Sequence, residues 1–274
     1  MWNVKCQGAS IPALGFGTFE LAVEDAARMV EHALQAGYRH IDTAQIYGNE
    51  QGVGEALAHA PFRREEIFLT TKVWIDAMRS GKLEASVEAS LEKLQTDYVD
   101  LLLLHWPNPK VDFQAMFDAL NTVKEQGLAR HIGVSNYPSD WLARAQEASR
   151  APLVTNQIEY HPFLAQNTLF PALREADMVL TAYCPLAQGR VFENDTLKAI
   201  GEKHGKNPGQ IALRWLIQQD GVVAIPRSSR EANASANIEI FDFELSEGEM
   251  KQITALADPN GRVINPEGLA PEWD

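Results

Sequence analysis

The sequence predicts an α/β protein built as one (β/α)8 barrel, with an N-terminal hairpin before it and a short irregular tail after it, residues 1–274 forming a single domain. Three observations predict it. Short apolar runs alternate with longer amphipathic stretches from end to end, the pattern of repeated βα units around a parallel sheet. Eight such runs occur. Eight units in roughly 250 residues match a closed barrel, whereas a doubly wound sheet usually has fewer strands and a glycine-rich first turn.

The opening WNVKCQGASIPAL reads as two short strands around Gly8, a hairpin that caps the bottom of the barrel. The eight barrel strands follow as Leu14–Phe19, Arg39–Ala44, Ile67–Val73, Val99–His105, Ala129–Asn136, Leu153–Glu159, Met178–Cys184 and Val222–Arg227. Each is followed by a helical pattern. Val23–Ala36 is one, and Lys82–Leu94 is another, with Leu83, Val87, Leu91 and Leu94 three or four residues apart on one face. The stretch Ser246–Ala257 reads as an extra helix, and DPNGRVINPEGLAPEWD as a tail able to reach the mouth of the barrel.

Composition narrows the function. Hydrophobic residues make up 45% of the chain and charged ones 22%, enough apolar side chain for a full core, so disorder is excluded. Lys plus Arg total 24 against 37 Asp plus Glu, and the net charge of −13 argues against general affinity for nucleic acid or anionic membrane. The two cysteines, Cys6 and Cys184, are far apart, which indicates neither a disulfide framework nor a thiolate zinc site. Neither a HExxH motif nor a phosphate-binding GxxxxGK[ST] loop is present, and GFGTFE at Gly15 carries only two glycines of a dinucleotide fingerprint, so no metal cofactor is expected. With no signal-like start, and no aliphatic stretch longer than Leu101–Leu104, the expectation is a soluble cytoplasmic protein, monomeric, without nucleic-acid or membrane partners.

In barrel enzymes the chemistry sits at the C-terminal ends of the strands. Here the second strand ends at Asp42 and runs into Tyr47, the third ends near Lys72 and the fourth in His105. Those residue types suit protonation of a carbonyl. A phenol with pKa near ~10 is a weak acid at neutral pH, and a neighbouring ammonium strengthens it by favouring the phenolate. Asp42 would hold Lys72 charged, and a neutral His105 would orient the carbonyl oxygen by a hydrogen bond. Each residue alone also has a plain structural reading: a loop cap for Asp42, packing for Tyr47, a satisfied core histidine for His105. Lys72 closing an apolar run is harder to dismiss, although a Schiff-base lysine would look the same. The coincidence of all four carries the signal.

The segment GYRHIDTAQIYGNEQGVG, with TTKVW, LLLLHWP and HIGVSNY in order behind it, resembles the aldo-keto reductase family over nearly the whole chain. The resemblance implies a barrel that binds NADPH without a Rossmann fold, and a catalytic tetrad of Asp42, Tyr47, Lys72 and His105 with Tyr47 as general acid. It also places the nicotinamide carboxamide against Ser135, Asn136 and Gln157 and stacks the ring on Tyr183. Amide and hydroxyl side chains offer the donors and acceptors an amide needs, and an aromatic face fixes a flat ring.

For the adenosine end, IPRSSREANASAN leads from the last strand into a helix N-terminus, with Arg227 and Ser228 as ligands of the 2′-phosphate and Asn237 completing the cofactor set. Relatives usually carry lysine at position 227 and a second arginine where this chain has Asn233, which leaves Arg230 as the available substitute cation. Phe19, Trp74 and Trp106 are expected to wall the substrate pocket. Within the family the tail NPEGLAPEWD is most similar to bacterial 2,5-diketo-D-gluconate reductases of type B, which implies reduction of small polar carbonyls such as 2,5-diketo-D-gluconate or methylglyoxal. Two other readings compete with an NADPH-dependent reductase: a Schiff-base lyase using Lys72, and a non-catalytic NADPH-binding partner subunit.

Overall fold

The computed structural model describes residues 1–79 and 81–274. Two strands, β1 (Asn3–Cys6) and β2 (Ala9–Pro12), form an antiparallel hairpin. Eight parallel strands follow in sequence order: β3 (Phe16–Gly17), β4 (His40–Asp42), β5 (Phe68–Val73), β6 (Val99–Leu104), β7 (Ala129–Ser135), β8 (Leu153–Glu159), β9 (Val179–Tyr183) and β10 (Val222–Ala224). Parallel bridges from Leu14 to Ala224 and from Gly17 to Arg227 join the two ends, so the sheet closes on itself.

The helices are α1 (Val23–Ala36), α2 (Glu50–His59), α3 (Lys82–Leu94), α4 (Phe113–Glu125), α5 (Ser139–Ala148), α6 (Leu169–Glu175), α7 (Asp195–His204), α8 (Pro208–Ile217), α9 (Glu231–Ile238) and α10 (Glu247–Thr254). β6 explains why the strand runs are apolar throughout rather than alternating. Leu101 and Leu103 join the barrel interior with Phe68, Val154, Val179 and Val223, while Leu102 and Leu104 belong to the larger core shared with the helices. On α3 the four residues at helical spacing are all buried. The hairpin closes the bottom of the interior. Cys6 and Ile11 belong to its cluster, the Cys6 thiol donates to the Val154 carbonyl (3.3 Å), and the Gln7 amide donates to Ala176 and Asp177 at the base of β9.

The structure shortens three of the expected strands by half or more. The second contracts to His40–Asp42, the first to Phe16–Gly17 and the last to Val222–Ala224; the first and last meet at the closing seam, where Pro226 has no N–H to add to the ladder. The helical patterns are also uneven. After β8 no α-helix begins until Leu169, and a 3-10 segment (Ala187–Glu193), α7 and α8 all lie between β9 and β10. α2 is wedged between its neighbours through glycine. A Cβ on Gly52 would fall 2.1 Å from the Val23 carbonyl oxygen, and one on Gly54 2.2 Å from that of Lys93.

The tail folds back onto the barrel. The buried carboxylate of Glu159, the last residue of β8, accepts the N–H groups of Val263 (2.6 Å) and Ile264 (2.9 Å) and faces His161 (2.9 Å). The Arg262 guanidinium lies over the Trp273 ring (3.7 Å), and the Asp274 side chain receives the N–H and hydroxyl of Ser139 at the start of α5.

Candidate active site

The sequence expectation for the strand ends places four side chains in one cluster. Asp42 ends β4, Tyr47 lies on the 3-10 turn Gln45–Tyr47 that follows, Lys72 is on β5, and His105 comes directly after β6. Lys72 is fully buried, and its ammonium donates to Asp42 Oδ1 (2.5 Å), to the Thr43 carbonyl (2.8 Å) and to the Tyr47 hydroxyl (3.3 Å). The His105 ring meets the Tyr47 ring edge to face, with centroids 5.7 Å apart.

Burial acts on Lys72, Tyr47 and His105. It lowers the tendency of Lys72 to hold its proton, but Asp42 and Tyr47 together outweigh that and raise the lysine above its ordinary value. Burial pushes the Tyr47 phenol up, with Lys72 pulling it down and Asp42 pushing it up. The sequence expectation of a phenol strengthened by the ammonium therefore holds for the direction of Lys72's effect but not for the net shift, because desolvation is the larger cause. Burial and then Lys72 hold His105 well below the usual imidazole range, so it is neutral at physiological pH, and its buried Nδ1 has no partner among the described residues.

The proposed carboxamide contacts lie beside this cluster and are wired into it. Ser135 Oγ donates to the Gln157 carbonyl (2.7 Å); Asn136, in a left-handed conformation (φ 64°), donates through Nδ2 to the His105 carbonyl (3.0 Å); and Tyr183 donates its hydroxyl to Asn136 Oδ1 (2.7 Å). Gln157, only 2% exposed, donates Nε2 to Asp42 Oδ2 (2.7 Å), while its Oε1 accepts nothing among the described residues. An amide oxygen with no donor among the described residues, next to serine and asparagine, fits an amide-bearing cofactor.

The adenosine-end residues occupy the rim. Arg227, 37% exposed, donates to the carbonyls of Phe19 (2.9 Å) and Glu20 (3.1 Å), so its guanidinium ties down the loop after β3. Ser228 turns its hydroxyl back onto the backbone of Arg230, Asn237 is buried on α9, and Arg230 and Asn233 are exposed. Among the pocket aromatics, Phe19 is exposed and packs on Tyr47 (5.1 Å), and Trp74 packs on His105 (5.3 Å). Trp106 is only 5% exposed, with Trp273 of the tail 6.2 Å away, so the tail covers that side of the expected pocket.

Several supporting residues escaped the sequence reading. Gln45 accepts the Trp74 N–H (2.9 Å) and anchors on Ser86 and Ser90; buried Glu50 accepts from Thr71 (2.7 Å) and Ser90 (3.2 Å) and braces the segment beside Lys72. Glu159 and Arg262 hold the tail. A charged residue closing a strand directly after Ile158, as Glu159 does in LVTNQIE, was the signal available for it. Among the described residues no group of three or more His, Cys, Asp or Glu is arranged to hold a metal ion, and no helix is long and apolar enough to cross a membrane.

The model of the aldo/keto reductase family matches residues 13–258. The chain is 40% identical over 268 residues to the methylglyoxal reductase DkgB of Escherichia coli O157:H7, covering 97% of this chain and 100% of that protein. It is 42% identical to DkgA of Yersinia pestis over 253 residues, 91% of this chain and 90% of the other. A crystal structure provisionally named 2,5-diketo-D-gluconic acid reductase B superimposes with a TM-score of 0.98 at 48% identity, covering 100% of this chain and 98% of that one. An aldo-keto reductase of Bombyx mori in complex with NADP superimposes with a TM-score of 0.86 at 32% identity, covering 94% of each chain.

Proposed function

The chain belongs to the aldo/keto reductase family, and from that premise we propose that this NADP-dependent oxidoreductase reduces small polar carbonyls, 2,5-diketo-D-gluconate or methylglyoxal, with Tyr47 as proton donor. The observation that carries the reading is the unbroken contact chain from Asp42 through Lys72 to the Tyr47 hydroxyl.

Ser135, Asn136 and Gln157 would hold the nicotinamide carboxamide, Tyr183 the ring face, and Arg227, Ser228 and Asn237 the adenosine end. NADPH bound there supplies hydride to the carbonyl carbon. Neutral His105 orients the carbonyl oxygen, Tyr47 gives that oxygen its proton, and Lys72 stabilises the phenolate left behind until solvent reprotonates it. Asp42 keeps Lys72 charged throughout. Trp74 and the Trp106–Trp273 pair limit the space beside His105, which favours small substrates.

The competing Schiff-base reading needs a neutral amine free to attack a carbonyl. Lys72 instead has all three contacts filled and its charged form favoured. Tyr47→Phe distinguishes the two: the variant should bind NADPH with unchanged affinity by fluorescence titration and lose about a hundredfold or more in kcat for methylglyoxal. Near wild-type kcat would remove Tyr47 from the mechanism. A lysine adduct trapped by borohydride during turnover would favour the lyase.

A further inference from the structure

The amide of Gln157 stands between two systems that a reductase has no obvious need to connect. Its Nε2 donates to Asp42 Oδ2 (2.7 Å), the carboxylate oxygen that Lys72 does not use, and its Oε1 accepts nothing among the described residues, although the side chain is almost wholly buried. An amide with both ends engaged is a relay. An N–H donated to its oxygen increases the positive character of its own N–H groups, so the bond it donates strengthens in turn.

We infer that Gln157 is a positioning residue that reports cofactor occupancy to the proton donor: a carboxamide docked on Oε1 tightens the Nε2–Asp42 bond and thereby shifts the balance of charge at Tyr47. The inference rests on the reductase reading above. Asp42 and Lys72 act on the phenol with opposite signs, the carboxylate holding its proton on and the ammonium drawing it off. Charge withdrawn from Asp42 by a stronger Gln157 bond weakens the first influence and leaves the second. The titratable groups around the phenol are Asp42 on β4, Lys72 on β5, His105 after β6 and Tyr183 on β9. His105 stays neutral and Tyr183 stays protonated at physiological pH, so neither supplies a competing charge there. Tyr47 is thus a stronger acid in the cofactor complex than in the free enzyme, and its proton is released where a hydride can follow.

The test is direct titration of Tyr47, labelled with carbon-13 at Cζ and followed by NMR, in the free protein, with NADPH, and with the acetylpyridine analogue of NADPH, whose acetyl group has no N–H to give. The midpoint should fall by about half a pH unit or more with NADPH, and by less than half of that with the analogue. In Gln157→Met, which keeps the bulk of the side chain, NADPH and the analogue should act alike. Equal shifts by the two cofactors in wild-type protein, or an undiminished difference in the methionine variant, would overturn the coupling. If the variant does not fold, the wild-type comparison decides alone. Carbonyl-dependent oxidation of NADPH by the wild type, measured in parallel, separates the two levels: its absence removes the reductase reading and this inference together, whereas turnover with equal shifts removes only the relay.

Discussion

Arg227 holds two loop carbonyls and is proposed to bind a phosphate, and these duties can be separated by substitution. Arg227→Lys keeps the charge but cannot span the Phe19 and Glu20 carbonyls, while Arg227→Ala loses both. We expect alanine to weaken NADPH by about 1–2 kcal/mol, less than a buried charged bond because the group is partly solvated, and to leave NADH nearly unchanged. Lysine should retain most of the NADPH affinity and instead raise KM for methylglyoxal, because the loop that carries Phe19 loosens. Fluorescence titration and initial rates measure the two effects; equal losses for both cofactors with alanine would place the 2′-phosphate elsewhere. At this scale the sequence was most readable where a residue offends its surroundings. Lys72 in an apolar run could not be there without a partner, and Asp42 is that partner. Gln45 and Glu50 were opaque because glutamine and glutamate on a helical or turn pattern look the same whether they face solvent or brace a loop.

The tail is held by the Glu159 clamp together with Val263 on the core and Trp273 against Trp106, and the clamp is the part that one substitution can test. Glu159→Gln removes the charge facing Arg262 and leaves one good acceptor for the N–H groups of Val263 and Ile264. The tail should then leave the barrel more often, exposing the bond after Arg262 to trypsin. We expect cleavage there to accelerate about tenfold or more while the remainder of the chain stays resistant. Unchanged cleavage would mean that Trp273 and Asp274 hold the tail without the clamp. Elements were legible in proportion to their regularity. The bounds of α1 and α3 match the periodicity residue for residue, because each buries a continuous stripe. The stretch after β8, with Pro162 and Pro171 among its apolar residues, has no such period, and α6 is correspondingly short. The tail has no period at all, and its path depends on partners more than a hundred residues away.

At the level of the whole barrel, buried histidine links stability to acid. His40 lies inside the barrel with Nε2 on the Thr70 hydroxyl (3.1 Å) and no hydrogen bond of normal geometry at Nδ1 among the described residues, and burial, partly countered by Asp42, lowers its pKa to about 4. The unfolded chain takes up this proton near the ordinary value of 6.5, so the stabilisation is complete above pH about 6.5 and is lost as pH falls towards 4. Between pH about 7 and about 4.5 the contribution is on the order of 2–3 kcal/mol. Urea denaturation at those two pH values should show His40→Gln less sensitive to acid than wild type by about that amount, and equal sensitivity would place the acid lability in other groups. The eight-strand closure was itself readable from eight runs, but not how thinly the circle is joined. Among the described residues three backbone hydrogen bonds cross the seam: Gly15 to Ala224, Ala224 to Ala13, and Gly17 to Pro226. A ring so thinly joined at its seam opens there readily, so amide deuterium uptake at Gly15, Gly17 and Ala224 should run ahead of β6 and β7 in free protein. Because Arg227 adjoins the same closure, a nucleotide held by it would slow that uptake selectively, which makes the seam a built-in gauge of occupancy that needs no substrate and no turnover.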